Sequence, residues 1–135
     1  MTANRSDFDL SMREGAQGEL FVASVRDTLA GKGTVEVKAP KPFLRKGSAY
    51  VEYECRTRAG VWKPSGIQVT KAALWFFTFG SLPGGLVVET EWLRRAMRHA
   101  WQRPRNRKDC GMEPNPTRAV VVSLRDLYAT REREP

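Results

Sequence analysis

Apolar and polar residues alternate most regularly between positions 34 and 54. Thr34-Val35-Glu36-Val37-Lys38 and Tyr50-Val51-Glu52-Tyr53-Glu54 both repeat with a period of two, which predicts two strands. Successive strand side chains point to opposite faces. Glu36 and Lys38 therefore share one face, with Val35 and Val37 on the other. Glu52 and Glu54 likewise share a face, opposite Val51, Tyr53 and Cys55. Paired as a hairpin, the two strands would gather three carboxylates and one ammonium on one patch. A solvated strand face kept polar for solubility would carry the same residues.

Around these strands the pattern predicts a mixed α/β chain. Gly15 and Gly18 bracket a turn before a helix over about 17–30, whose core face is Phe21, Val25, Thr28 and Leu29. Gly31 and Gly33 end it. Pro64 and Gly66 mark a turn, and Thr70 caps a short helix over 71–74. The aromatic run 75–79 reads as a continuous buried strand, followed by a turn over 81–85 and a short strand over 86–88. Thr90 caps a helix over 91–101 with Trp92, Leu93, Ala96 and Met97 as its inner stripe. Residues 119–122 form a β-branched strand at a sheet edge, and Ser123 begins a last helix to about 129. The termini, 1–8 and 130–135, are polar and expected to be disordered.

The chain has 135 residues, 41% hydrophobic and 28% charged, which suits a single domain with a real core over 1–135. The formal charge is +8, with a sequence pI near 10.0. Such a balance favours a polyanionic partner, most often nucleic acid. The longest apolar run, 72–77, is too short to span a bilayer, so no membrane partner is expected. The polar N-terminus does not read as a signal peptide. Cys55 and Cys110 are far apart and form no CxxC pair, and with one histidine a zinc site is not expected. Together these features indicate a reducing, cytoplasmic compartment.

The basic residues are clustered. From Arg94 to Lys108 there are arginines and lysines but no acid, and Arg98, Arg103, Arg105, Arg107 and Lys108 are candidate phosphate contacts. Lys41, Arg45 and Lys46, in a proline-stiffened connection, and Lys63 are further nucleic-acid-binding candidates. A solvated loop and helix end are the plainer reading. His99 reads as a surface residue.

The acids suggest a different chemistry. Glu19, Glu36, Lys38, Glu52 and Glu54 are carboxylates and a lysine, a set that contains no histidine or cysteine and suits a hard cation. Such an ion would lower the pKa of a bound water and neutralise a phosphoryl group, and the lysine would stabilise the pentavalent phosphate. Glu19 alone also fits a simple N-terminal helix charge.

In these motifs the chain resembles the PD-(D/E)XK nuclease superfamily, in particular small phage and resolvase-like members. The resemblance rests on an acid in the first helix (Glu19), an acid-x-Lys strand (Glu36-Val37-Lys38) and an acidic strand (Val51-Glu52-Tyr53-Glu54). It continues in Pro64-Ser65-Gly66-Ile67, Thr70, Ala73 and Trp75, and covers roughly residues 8–93. Two registers fit. In one, Glu36 and Lys38 are the (D/E)XK pair. In the other, Glu36 fills the first acid position and Glu52 the second, Glu54 stands where the family has lysine, and Lys38, or Lys63, serves as a migrated lysine. The second suits a strand–loop–strand arrangement better. The chain lacks the family's Pro-Asp pair.

The resemblance implies a nuclease-like fold, a mixed central β-sheet flanked by helices. It implies a Mg2+- or Mn2+-dependent deoxyribonuclease, an endonuclease, exonuclease or Holliday-junction resolvase of bacteriophage type acting in DNA recombination in the host cytoplasm. Glu36, Lys38, Glu52 and Glu54 would be catalytic, with Glu19, Glu36 and Glu52 on the metal and DNA as the substrate. Resolvase-type members often act as dimers, so the resemblance also admits a homodimer. The alternative is a catalytically inactive nucleic-acid-binding or protein-interaction module on the same fold.

Overall fold

The structure is a computed structural model and describes residues 5–32, 34–38, 47–78, 84–110 and 115–132. Lys41, Arg45, Lys46, Phe79, the turn residues 81–83 and the extreme termini lie outside the described residues. The chain divides into two units, 1–34 and 35–135.

The first unit is helical. Helix α1 runs Arg5–Asp27 and passes into a wider turn, Thr28–Lys32, containing Gly31 at φ 91°. The expected turn at Gly15 and Gly18 is absent, and both glycines lie inside α1. Each costs a helix about 1 kcal/mol relative to alanine, but flanking Met12, Arg13, Glu14, Ala16, Gln17, Glu19 and Leu20 are good helix formers. The end at Gly31 matches the sequence reading, since φ in the left-handed region is cheap only for glycine. Residues 5–8 belong to α1 and are not a frayed tail. Phe21, expected on a core face, is 37% exposed.

The second unit is an α/β domain built on two sheets rather than one central sheet. Strands β1 (Val35–Lys38), β4 (Leu74–Thr78) and β5 (Gly85–Glu89) form a mixed sheet in the order β1-β4-β5. Strands β2 (Ser48–Arg56), β3 (Trp62–Pro64), β6 (Arg107–Cys110) and β7 (Thr117–Ser123) form an antiparallel sheet, β3-β2-β7-β6. Helices α2 (Thr90–Trp101) and α3 (Leu124–Ala129) complete it.

One core joins both sheets and both helices. Ala49 and Val51 of β2 stand opposite Val122 and Val120 of β7, and all four are buried together with Trp75, Phe77 and Val88. Helix α2 turns Leu93, Ala96 and Ala100 into this core, with Trp92 and Met97 partly buried against it, as its spacing predicts. The Trp92 indole donates to the Leu127 carbonyl (2.9 Å) and ties α2 to α3. The Thr90 hydroxyl donates to the Ala72 carbonyl (2.6 Å), fixing the start of α2 to the segment before β4.

Several elements depart from the sequence pattern. There is no helix over 71–74. Thr70 instead accepts the Ala72 N–H (3.2 Å) in a local turn, a competing use of the threonine hydroxyl, and the helical turn lies earlier, at Gly66–Gln68. Strand β7 is longer than expected and lies between β2 and β6, not at an edge. Part of the basic loop is structured, as the turn Pro104–Asn106 and strand β6.

Candidate functional site

The acidic hairpin does not form. β1 pairs in parallel with β4, Glu36 opposite Trp75 and Lys38 opposite Phe77, whereas β2 pairs with β3 and β7. Partners in a ladder share a face, so Glu36 and Lys38 sit at the rim of the face that carries buried Trp75 and Phe77. Val37, on the opposite face, is 62% exposed. The Lys38 ammonium meets the Glu36 carboxylate at 3.0 Å and lies 5.5 Å from the Trp75 ring centre.

Glu52 and Glu54 are separated by a β-bulge. Glu52 stands opposite Ala119 and Glu54 opposite Arg118, consecutive residues of β7 that point to opposite faces. The extra residue, Tyr53, therefore reverses the alternation, and the two carboxylates do not share a face. Tyr53 packs edge-on against Trp101, ring centres 5.1 Å apart. Burial, then the Glu54 charge, raises its hydroxyl pKa above the ordinary value. Glu54 pairs with Arg118 at 3.1 Å, and the Arg118 guanidinium also covers the Trp62 ring at 3.8 Å. Glu19 is exposed on α1 in the first unit. Among the described residues no three His, Cys, Asp or Glu side chains gather in a group that could hold a metal ion. Cys55 and Cys110 are free thiols.

The structure assembles a different constellation around Asp126. Ser123 caps α3, its hydroxyl accepting the Asp126 N–H (3.2 Å). One Asp126 oxygen, Oδ2, accepts the Ser123 N–H (2.9 Å) and hydroxyl (2.8 Å), completing a capping box. The other, Oδ1, receives His99 Nδ1 at 2.9 Å and Arg103 Nη2 at 2.6 Å. Asp126 is 1% exposed. Burial pushes its carboxyl pKa up, but the Ser123 N–H, the His99 ring, the Ser123 hydroxyl and the Arg103 charge together outweigh it, and the net shift is downward. The carboxylate is therefore held ionised and can only accept. The His99 nitrogen facing it is the N–H, which leaves Nε2 for other partners.

Two clefts flank this pair. His99 lines the first, about 240 Å³, with Arg95, Arg98, Gln102 and Thr130. Asp126 lines the second, about 490 Å³, with Arg103, Arg105, Asn106 and Arg125. The His99–Asp126 hydrogen bond links a lining residue of one cleft to a lining residue of the other. Arg103 is committed to Asp126, and Arg95 donates to the Thr130 carbonyl from Nε (3.4 Å) and Nη2 (3.3 Å). Arg98, Arg105 and Arg125 are exposed, and none makes an ion pair with a described residue.

Of the residues the sequence singled out for phosphate, Arg98, Arg103 and Arg105 meet at these clefts. Arg107 lies over the Trp101 ring (4.5 Å) and donates to the Trp101 carbonyl (3.0 Å). Lys108 is exposed on β6 and Lys63 on β3. Arg94, in the same basic stretch, holds the Ile67 carbonyl (3.1 Å) and pairs with Glu91. Sequence reasoning missed Asp126, Arg125 and Arg95, and took His99 for an isolated surface residue. The Ser123-x-x-Asp126 spacing is the signal that exposes the first of these. No helix of the described residues is long and apolar enough to cross a membrane.

Compared with known protein families, curated proteins and solved structures, the chain finds no match.

Proposed function

We propose that the chain is a nucleic-acid-binding module whose phosphate-contacting surface is the double cleft around His99 and Asp126. One observation carries this reading. Arg98, Arg105 and Arg125 are exposed with no ion-pair partner among the described residues, and all three line clefts built on one buried ion network. Surface arginines with nearby acids neutralise one another. Here Asp126, the one buried acid among the described residues, is already used by Arg103 and His99, so these arginines face outward, with Glu132 beside Arg98 in the first cleft. The excess of basic residues over the whole chain, +8, supports the same partner through long-range attraction.

Fluorescence anisotropy with labelled DNA and RNA in EDTA at low salt tests this. Binding without added metal, weakened in Arg105→Ala and Arg125→Ala variants of unchanged thermal stability, is the expected result. Absence of binding to every nucleic acid at low salt would refute it.

A nuclease-like, metal-dependent phosphodiester hydrolysis is the second reading. It is favoured by the half-exposed Glu36–Lys38 pair at 3.0 Å, the acid-x-Lys spacing of the family the sequence resembles. Branched and linear DNA incubated with Mg2+ or Mn2+ tests it: it requires cleavage that is lost in Glu36→Ala, and intact DNA removes it.

A further inference from the structure

We propose that the smaller cleft, lined by His99, binds a phosphomonoester, the terminal phosphate of a nucleic-acid strand. This inference rests on the nucleic-acid-binding reading and assigns one ligand group to one part of that surface. Its volume, about 240 Å³, lies below the roughly 300–1,000 Å³ of pockets that enclose whole small molecules. A single head group suits it better than a stacked nucleoside. The lining is donor-rich: Arg95, Arg98, His99, Gln102 and Thr130.

The donors are positioned in different ways. Asp126 holds the His99 ring by Nδ1, which leaves Nε2 as the ring nitrogen without that partner on a residue that lines the cleft. Arg95 spends Nε and Nη2 on the Thr130 carbonyl, which fixes its guanidinium and leaves Nη1. Arg98 is exposed at the wall and unpaired among the described residues. Two guanidinium groups and an imidazole around one small space match the extra charge and the three terminal oxygens of a monoester better than a diester, which has a single charge and two free oxygens. One carboxylate, Glu132, also lines the cleft. It opposes an anion, so its removal should strengthen binding.

The test compares one short oligonucleotide carrying a 5′-phosphate, a 3′-phosphate or hydroxyls at both ends, by anisotropy on the intact chain. One of the phosphorylated forms should bind about tenfold tighter than the hydroxyl form, and which of the two does so identifies the end. The preference should vanish in Arg98→Ala and in His99→Asn, whose amide can still donate to Asp126 but lacks Nε2. It should persist in Arg105→Ala, which alters the other cleft, and grow in Glu132→Gln. Equal affinity for all three oligonucleotides overturns the terminal-phosphate site while leaving nucleic-acid binding intact. If no oligonucleotide binds, the binding reading fails, and inorganic phosphate alone then decides the cleft. A phosphate-dependent shift of the His99 ring resonances supports a monoester pocket, and its absence overturns it.

Discussion

His99 and Asp126 meet at 2.9 Å across the packing of α2 on α3, one half-exposed and the other 1% exposed. The contact joins a surface histidine to a buried carboxylate that also caps α3 and anchors Arg103. A single aspartate thus fixes the end of the fold and the geometry of both clefts.

Replacing that aspartate should therefore cost more than a surface ion pair. Asp126→Ala removes the capping box, worth about 1 kcal/mol, and strips Ser123 and Arg103 of a buried acceptor. Arg103 and His99 are partly exposed and can rehydrate, which keeps the loss below the roughly 3–5 kcal/mol of a fully buried pair. Urea denaturation should show about 2–3 kcal/mol of destabilisation. A change under about 0.5 kcal/mol, the size of an ordinary surface substitution, would contradict the network.

The same carboxylate sets an acid limit. Its pKa is lowered in the folded protein, so the unfolded chain binds this proton more readily than the native one. The stabilisation is fully present above the ordinary carboxylate value, about 3.9, and is lost as pH falls through the lower folded value. Melting temperatures between pH 7 and pH 2 should fall more steeply below about pH 4 for the wild type than for Asp126→Asn. Parallel curves would count against Asp126 as the stabilising group.

Gly66 is a second point of sensitivity. Its φ is +54°, and a Cβ there would lie 2.3 Å from the Glu52 carbonyl oxygen. Both the backbone conformation and the close approach exclude a side chain, and backbone atoms cannot rotate aside. Gly66→Ala should lose at least about 2 kcal/mol, read from its melting midpoint. Wild-type stability would mean that β2 and the Gly66–Gln68 turn do not approach as described.

Arg118 serves three neighbours at once, pairing with Glu54 at 3.1 Å and Asp109 at 3.6 Å and covering Trp62 at 3.8 Å. The ion pair with Glu54 is partly exposed and worth about 0.5 kcal/mol, while the ring contact adds about 0.5–1. Arg118→Ala should therefore destabilise more than Glu54→Ala, by about 0.5–1 kcal/mol in chemical denaturation. Equal losses would leave the tryptophan contact without weight.

Local features were legible in the sequence, and pairing was not. The 3.6-residue stripe of Leu93 and Ala96 identified α2, and the aromatic run identified β4, because helix faces and buried strands leave their period in the chain. The alternation at Val35–Lys38 and Tyr50–Glu54 also marked real strands. It did not say that β1 would lie parallel to β4, a choice made by Trp75 and Phe77 some forty residues away. Nor did it reveal the bulge at Tyr53, which sends Glu52 and Glu54 to opposite faces. The proposed acidic patch depended on both points. The arginine-rich stretch was visible as composition. Its organisation around Asp126 required knowing that α3 docks beside α2, a packing made only by the folded chain.

The salt dependence of nucleic-acid binding tests the central claim most directly. In a log–log plot of affinity against salt concentration for duplex DNA, the wild type should give a steep negative slope. Replacing Arg98, Arg105 and Arg125 together with alanine should make that slope shallower by about 2.7, or about 0.9 for each phosphate no longer neutralised. A triple variant that keeps the wild-type affinity and slope would contradict the double cleft as the phosphate-binding surface.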